Sequence, residues 1–397
     1  MKVLILNSLY APHIRGGAER SLQMLAEALV ADGVEVVVGC TAPAALPAQR
    51  HNGVEVIYVH GLNIFWPFDG SERPALARKA WHLLDMYNPA GGRAVAALLR
   101  ECRPDIVHTN NLRGFSVAAW GAIANAGLPI LHTVRDDYLR CARSLGWKAS
   151  GPCVGTCAEC LPHASVRRAA TRHVAGVTAV SRTILDAHLG QGFFKGARVA
   201  REVYNPAPEV RSQQRDPGRP VRFGVSGRIE AEKGLGVLLE AMVRRPAADW
   251  KLIVAGRERT PFADELRARY ASLLASGRVE FRGWMEVDDF FAAIDIAVVP
   301  SLYPEPASRV VLEAFAAGVP LIVSRRGGMQ ELVEDGVSGL LFEPNDAASL
   351  DSALERATAD PAALAPLAAA GARIAVSLRA ADVACRYRDI YRDLVAA

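Results

Sequence analysis

Residues 2–31, KVLILNSLYAPHIRGGAERSLQMLAEALVA, contain the pattern that decides the fold. The short apolar run Lys2–Asn7 is followed by a Gly-Gly turn and then by an amphipathic stretch, Glu19–Ala31, with apolar residues at helical spacing. This order is typical of one strand–helix unit. A continuous apolar strand also indicates a parallel sheet covered by helices on both faces.

The same alternation continues along the chain and predicts an α/β protein with two doubly wound, Rossmann-like domains. The predicted strands are Lys2–Asn7, Glu35–Cys40, Glu55–His60, Asp105–Asn110, Pro129–Val134 and Gly176–Ser181 in the first half, then Arg222–Ser226, Lys251–Ala255, Val279–Arg282, Ile296–Pro300, Leu321–Ser324 and Gly339–Phe342. Helical patterns lie between them, for example at Arg93–Glu101 and Phe115–Ala126.

A break in this alternation predicts the domain boundary. The sequence Asn205-Pro206-Ala207-Pro208 leads into the polar stretch Arg211–Pro220, whose composition is typical of a linker. We therefore predict one domain over residues 1–205 and a second from residue 206 to 380. Ligands of such sheets bind at the carboxyl ends of the strands, so a cleft between the two domains is the expected site.

Composition and charge exclude several classes of protein. Hydrophobic residues make up 51% and charged residues 22% of the 397 residues, which excludes disordered and fibrous proteins. The net charge of +4 is too small to indicate a nucleic-acid partner, and none is expected. Residues 135–201 carry 11 Lys and Arg against 4 Asp and Glu. This basic region suits anionic small molecules or acidic lipid, or is a solvated face with nothing bound.

The sequence predicts a cytoplasmic location, with peripheral contact at the inner membrane face as a further option. We find no apolar run of about 18 residues, the length that a membrane-spanning helix needs. The first residues lack the layout of a signal peptide. Seven cysteines are also too few for a disulfide scaffold in a chain of this length.

Two glycine-bounded segments are candidate phosphate sites. Gly16-Gly17 lies directly before a predicted helix, whose first amides favour an anion. It is not a G-x-G-x-x-G motif, which argues against a nicotinamide enzyme. Residues 227–234, GRIEAEKG, follow the first strand of the second domain, and Arg228 and Lys233 there could grip a diphosphate. The alternatives are an ordinary turn and a solvated loop.

The third segment is residues 301–313, SLYPEPASRVVLE, which follows a predicted strand. Glu305 is expected in the loop, and Glu313 on the second turn of a helix that begins near Ser308. The amides expected at the positive end of this helix are those of Arg309 and Val310. Two carboxylates beside an anion site suit a sugar nucleotide, because each can accept hydrogen bonds from hydroxyl groups. A surface pair of glutamates is the alternative.

These segments together resemble glycosyltransferase family 4, whose members are retaining enzymes of the GT-B fold. Glu305 and Glu313 form its E-x7-E motif, and they stand with residues 227–234 and with Gly16-Gly17-Ala18-Glu19. Residues 327–332, GGMQEL, and 335–342, DGVSGLLF, are similar to its remaining landmarks. The resemblance covers nearly the whole chain.

The resemblance implies roles for these residues. Arg228 and Lys233 would stabilise the diphosphate leaving group of a nucleotide-sugar donor, and Glu305 would contact the transferred sugar, which makes these three the catalytic candidates. Glu313 would bind the ribose. The implied donor-binding set is Gly17, Arg228, Lys233, Glu305, Ser308, Arg309, Val310 and Glu313. Residues 381–397, with Tyr387–Leu394, would form a helix that returns to the first domain.

Catalysis is expected to need no metal or other cofactor. Two cations and a helix N-terminus can stabilise a departing diphosphate, and the sequence has no Asp-x-Asp motif to bind a divalent ion. Family membership implies that the transferred sugar retains its anomeric configuration.

The sequence departs from the family pattern at two places. Family members often carry His-Asp where this chain has Arg135-Asp136, so Arg135 could instead neutralise a phosphate, oriented by Asp136. Ala307-Ser308 replaces a common Phe-Gly and is expected to reshape the sugar pocket. The acceptor-side candidates are Asn110, Arg135 and Asp136, together with Asn111, Arg113 and the rest of Arg135–Arg143.

A cysteine-rich insert over residues 141–160 is a candidate structural zinc site. Its C-x3-C-x2-C spacing would let three thiolates converge, and a fourth could complete a tetrahedron. The predicted ligands are Cys141, Cys153, Cys157 and Cys160, with His163 as a spare ligand. Reduced, loosely packed thiols are the alternative.

The sequence thus predicts a glycosyltransferase that moves a hexose-type sugar from a UDP-, GDP-, ADP- or dTDP-linked donor. The expected acceptor is a glycan, a lipid-linked molecule or a small molecule, in polysaccharide or glycoconjugate synthesis. A sugar-nucleotide epimerase of similar architecture and a sugar-nucleotide-binding protein without transfer activity are the alternatives.

Overall fold

In the computed structural model, the apolar runs of the first half form one sheet and those of the second half form another. The structure describes residues 1–148, 150–153, 155–211, 220–245, 249–256, 259–344 and 346–396. Two compact units divide the chain: unit 1 is Met1–Gly146, Cys153–Pro206 and Ala380–Ala397, and unit 2 is Trp147–Pro152 and Ala207–Arg379. The predicted linker lies mostly in residues 212–219, outside the described residues.

Unit 1 is a doubly wound α/β unit. Its elements are β1 (Lys2–Asn7), α1 (Gly17–Ala31), β2 (Glu35–Thr41), β3 (Gln49–His51), β4 (Val54–Val59), α2 (Ala75–Met86), α3 (Pro89–Cys102), β5 (Ile106–Thr109), α4 (Ala118–Asn125), β6 (Ile130–Val134), α5 (Leu161–Ala170), β9 (Gly176–Ala179), α6 (Arg182–Leu189), β10 (Val199–Glu202) and α15 (Ala380–Val395). The short antiparallel pair β7 (Trp147–Lys148) and β8 (Gly151–Pro152) is grouped with unit 2.

In the described part of unit 1, eight strands form the order β10-β9-β6-β5-β1-β2-β4-β3. Every pairing is parallel except that of the edge strand β3 with β4. The chain runs outward from β1 in both directions, so the order reverses between β1 and β5. Loops at the carboxyl ends of these two strands diverge there and leave room for a ligand.

Unit 2 repeats this architecture with a smaller sheet. Its elements are β11 (Val221–Ser226), α7 (Leu235–Val243), β12 (Trp250–Ala255), α8 (Pro261–Arg269), α9 (Ala271–Ala275), β13 (Val279–Phe281), α10 (Val287–Ala293), β14 (Ile296–Val299), α11 (Arg309–Ala317), β15 (Leu321–Ser324), α12 (Met329–Leu332), β16 (Leu340–Phe342), α13 (Ala347–Ala359) and α14 (Ala365–Ser377). Its six described strands are parallel in the order β13-β12-β11-β14-β15-β16, so the order reverses between β11 and β14. The predicted α/β class with two Rossmann-like domains is confirmed.

The C-terminal helix α15 packs into unit 1. Val383, Ile390 and Leu394 join the apolar core of this unit, and Arg388 Nη1 lies 2.6 Å from Asp32 Oδ1 at the end of α1. Two buried hydrogen bonds fix the position of α15 on the sheet. His108 Nδ1 lies 2.7 Å from the Tyr391 hydroxyl, and Thr133 Oγ1 lies 3.1 Å from the Tyr387 hydroxyl.

Among the described residues, no single helix is long and apolar enough to cross a bilayer. One consecutive pair, Ala362–Ser377 and Ala380–Val395, passes the same test of length and composition together, with a bend of 41° between its members.

The buried histidines of unit 1 predict a loss of stability in acid. His132 lies between Trp120 and Phe194, with ring centroids 5.1 and 5.7 Å away, and burial lowers its pKa from 6.5 to about 3. Below pH 6.5 the unfolded chain protonates this histidine, whereas the folded protein keeps it neutral. The unfolding free energy is therefore unaffected above pH 6.5 and decreases as the pH falls from 6.5 toward 3. At pH 4.5 the loss from His132 is about 2 to 3 kcal/mol.

Replacing His132 by phenylalanine is therefore expected to reduce the drop in unfolding free energy between pH 7 and pH 4.5 by that amount. Urea unfolding at the two pH values measures the drop. The exposed His60, replaced in the same way, is the control. An unchanged drop in the His132 variant would contradict the buried neutral imidazole.

Candidate donor site in unit 2 and polar edge in unit 1

The candidate donor site lies where the strand order of unit 2 reverses. The loop after β11 carries residues 227–234, and the loop after β14 carries residues 301–308. Two backbone bonds join the loops, since the amides of Leu302 and Tyr303 donate to the carbonyl of Glu232 at 2.9 and 3.2 Å. The two segments that the sequence singled out, about 70 residues apart, thus form one surface.

Lys233 and Glu305 form an ion pair in this surface. Lys233 Nζ lies 2.8 Å from Glu305 Oε1, and only 7% of the surface of Glu305 is exposed. Ser301 Oγ donates to the same carboxylate oxygen. A buried carboxylate is costly unless it is paired, so Glu305 holds Lys233 in place while Lys233 offsets its charge.

Arg228 is placed differently from Lys233. Half of its side chain is exposed, and Nη2 lies 3.6 Å from Glu232 Oε1. A half-exposed guanidinium beside a carboxylate can turn toward an incoming phosphate at little cost. The loop thus offers one fixed cation and one adjustable cation, and its role at a diphosphate stays a prediction.

The remaining donor-side residues lie at the start of α11. Ser308 is its buried N-cap residue, and Arg309 and Val310 are its first two residues. Glu313, one turn on, accepts a hydrogen bond from Arg309 Nε at 3.0 Å. First-turn amides have no acceptor within their own helix, so this helix start can bind an anion.

Glycines allow the loop backbones to meet. Gly327 has φ +58°, and a Cβ there would lie 2.2 Å from the carbonyl oxygen of Glu305. The amide of the next residue, Gly328, donates to the same carbonyl at 2.8 Å. The segment 327–332 therefore supports the backbone of Glu305, a contact that cannot be seen from the sequence.

Gly17, the last predicted donor-side residue, is the first residue of α1 in unit 1. The amide of Gly16 donates to Glu19 Oε2 at 2.8 Å, which caps the helix. The role implied for Gly17 at the donor stays a prediction.

The acceptor-side candidates form a polar row at the carboxyl edge of the unit 1 sheet. Arg135 Nε donates to Asn110 Oδ1, and its Nη1 donates to Asn205 Oδ1, both at 2.7 Å. Asp136 accepts from Asn111 Nδ2 at 3.3 Å, and burial raises the pKa of its carboxyl to about 6. These side chains follow adjacent strands and lie together.

Sequence reasoning missed two residues of these sites. Asn205 follows β10 and is predicted only as the last residue of the first domain, yet it fixes Arg135. Ser301 was not predicted as a site residue, although it lies just after β14, at a strand end where ligands bind. Ser324 Oγ donates to the Ser301 carbonyl at 2.6 Å, which ties it to the neighbouring strand.

Three of the predicted zinc ligands are neighbours, because the thiol of Cys160 lies beside those of Cys141 and Cys157. Cys141 Sγ and Cys160 Sγ lie 3.9 Å apart, but no three His, Cys, Asp or Glu side chains of the described residues are grouped as metal ligands. Burial raises the pKa of the Cys160 thiol to about 12, and the neighbouring thiols of Cys141 and Cys157 act in the same direction. His163 is buried on α5. The four-cysteine zinc site stays a prediction.

Cavity size does not locate the donor site. A cavity of about 620 Å³ in unit 2 is lined by residues 325–341 and 370–377 and shares no residue with the loops 227–234 and 301–308. Strand topology and charge are what support the candidate donor site.

Family models match both units in turn. The "Glycosyl transferase 4-like domain" matches residues 16–203, and "Glycosyl transferases group 1" matches residues 207–373. An "Uncharacterized 42.6 kDa protein in cps region" of Klebsiella pneumoniae is 33% identical over 334 residues, which are 84% of this chain and 87% of that protein.

A second relative and a solved structure extend the comparison. The lipopolysaccharide core biosynthesis glycosyltransferase LpsE of Rhizobium meliloti is 37% identical over 135 residues, 34% of this chain and 38% of LpsE. The structure of HepE from Anabaena in complex with UDP-glucose superposes with a TM-score of 0.72 at 21% identity, over 99% of this chain and 100% of that chain. This likeness shows the GT-B fold. The chain belongs to the group 1, family 4-like glycosyltransferases.

Proposed function

We propose that this glycosyltransferase is a retaining enzyme that moves a hexose-type sugar from a nucleoside diphosphate to an acceptor in cell-surface glycan synthesis. The observation that carries the proposal is the pairing of Lys233 with the buried Glu305 beside the N-terminus of α11. This arrangement offers a cation and helix amides to phosphates, and a carboxylate to sugar hydroxyls, within one surface.

The same groups suggest how the glycosidic bond to the diphosphate is replaced by a bond to the acceptor. The bond between the anomeric carbon and the diphosphate oxygen breaks, and Lys233 and Arg228 offset the charge that develops on the departing oxygens. Glu305 accepts from hydroxyls of the sugar, and Glu313 from the ribose. The acceptor oxygen bonds to the anomeric carbon on the face that the diphosphate leaves, and its proton passes to the leaving diphosphate. No metal ion is needed in this scheme.

Two relatives support a role in surface glycans. One is named for a cps region and the other for lipopolysaccharide core biosynthesis. HepE, solved with UDP-glucose, supports UDP-glucose as the first donor to test. The acceptor would meet the polar row of Asn110, Arg135 and Asp136 in unit 1. The basic region over residues 135–201 supports peripheral contact at the inner membrane face.

The decisive experiment is a thermal-shift series with UDP, GDP, ADP and dTDP, followed by an assay of product from the sugar nucleotide of the preferred base. A preferred nucleotide is expected to raise the melting temperature, and the rise grows with the ratio of its concentration to its Kd. Product should depend on an added glycan, lipid-linked sugar or small polyol, and should persist with excess chelator. Sugar conversion without acceptor would indicate an epimerase, and binding without any product would indicate a binding protein.

A further inference from the structure

Helix α2 in unit 1 presents an apolar stripe to solvent. Its exposed members are Leu76 at 79%, Leu83 at 60%, Leu84 at 45% and Tyr87, just beyond its last turn, at 54%. Their spacing of seven, eight and eleven residues from Leu76 places them on one face of a helix. Large apolar side chains grouped on a solvent-facing stripe mark an interaction surface.

The opposite face of α2 is fixed in unit 1. Trp81 is buried, and its Nε1 donates to the Phe65 carbonyl at 2.9 Å. Asp85 is buried as well, accepts from the Gly114 amide at 2.7 Å and lies 3.6 Å from Arg167. The helix cannot turn its leucines inward without exposing the indole and leaving Arg167 buried with no carboxylate beside it.

A loop adds to the stripe. Asn63 Nδ2 donates to the Trp81 carbonyl at 3.3 Å, and Phe65 lies 6.1 Å from the Trp81 ring, which holds this loop against α2. Ile64, between these two residues, is 54% exposed. The next residue after Phe65, Trp66, is half-buried, and tryptophan favours the boundary between water and lipid.

The exposed charges on α2 are positive. Arg78 and Lys79 are exposed, whereas the single acid of the helix, Asp85, is buried. An amphipathic helix with an apolar stripe and exposed cations is suited to lie in the plane of an anionic lipid surface.

We propose that the α2 stripe, Leu76, Leu83, Leu84 and Tyr87 with Ile64 beside it, docks unit 1 on an anionic membrane. The proposal rests on the proposed function, since it would bring the enzyme to an acceptor held at the membrane. A second copy of the chain is less suited to the stripe. A stable protein interface engages about 20 to 30 residues on each side, whereas this patch has five apolar side chains, and lipid needs no complementary shape.

Vesicle co-sedimentation of the full chain tests the proposal. We expect the protein to bind vesicles of phosphatidylcholine with phosphatidylglycerol, to bind pure phosphatidylcholine weakly, and to release with added salt. The double variant Leu76→Ser with Leu83→Ser is expected to bind at least tenfold more weakly, equivalent to about 1.4 kcal/mol. Lys79→Glu is expected to weaken binding to the anionic vesicles alone.

Matched controls are Val395→Ser, at a valine 45% exposed at the end of α15, and Arg50→Glu, at an exposed arginine of β3, both outside residues 135–201. Both should bind like the parent protein. Failure of the parent to prefer anionic vesicles, or equal binding by the leucine pair and its control, would overturn the proposal. So would a dimer, seen by sedimentation velocity, that the leucine pair abolishes.

The nucleotide thermal shift separates this proposal from the proposed function. It is expected to be unchanged in all four variants, because none of their residues lies in the donor loops. A normal nucleotide shift without vesicle binding would overturn only the membrane surface. Vesicle binding without any nucleotide shift would overturn only the proposed donor chemistry.

Discussion

Replacing Lys233 by alanine is expected to lower turnover by about 30- to 1000-fold. Removing a charged partner from a desolvated phosphate contact costs about 2 to 4 kcal/mol, and each 1.4 kcal/mol is a factor of ten in rate. The Lys233 ammonium is fixed 2.8 Å from Glu305, so its charge is already in position before the diphosphate departs. Arg228→Ala should act in the same direction but less strongly, because half of that side chain is exposed.

Steady-state rates with saturating donor measure this effect. The matched control is Lys251→Ala, which removes a lysine of the same unit that lies 3.8 Å from Glu280. The unfolding free energy of each variant must be measured as well, because Lys233→Ala also leaves the buried Glu305 carboxylate without its cation. A Lys233 variant with near-native turnover would refute the diphosphate role of this loop.

Replacing Gly234 by alanine is expected to destabilise unit 2 and to abolish donor binding. Gly234 has φ +75°, and a Cβ there would lie 1.8 Å from the carbonyl oxygen of Pro300. Backbone strain at this conformation and the forced separation of two backbones together cost about 3 kcal/mol or more. The separation would move Lys233 away from Glu305, since the two loops meet at this glycine.

Gly236→Ala is the matched control two residues further on. A Cβ at Gly236 would lie 3.6 Å from Leu266 and Phe262, an ordinary contact, inside helix α7. Alanine there is expected to leave stability unchanged or raise it by up to about 1 kcal/mol. Urea unfolding followed by circular dichroism compares the two variants. Equal stabilities would mean that the loops do not meet at Gly234.

The segments of the candidate donor site could be recognised in the sequence because the relevant residue types stand at fixed distances after apolar strands. Arg228 and Lys233 follow β11, and Glu305 and Glu313 follow β14, as the strand–helix pattern indicated. Parallel strands place their carboxyl ends at one edge, so a sequence that shows the strands also shows which loops share an edge. The contacts within that edge were not predictable.

Errors in the prediction occurred where local pattern is weak. The edge strands β3 and β10 have three and four residues and few buried side chains, so periodicity did not indicate them. The prolines after Asn205 indicated only a domain boundary there, so its contact with Arg135 was not predicted. The cysteine spacing predicts four converging thiolates, and the structure places the thiol of Cys160 beside those of Cys141 and Cys157, while the zinc site itself stays a prediction.

The sequence by itself determined the α/β class, the family and the segments proposed to carry the donor chemistry, because apolar runs and spaced charges are local properties. Only the tertiary structure decided that Lys233 pairs with Glu305, 72 residues away, and that Asn205 fixes Arg135, 70 residues away. It also decided that the leucines of α2 face solvent. An amphipathic helix can bury either face, and here Trp81 and Asp85 occupy the interior because their hydrogen-bond partners lie there.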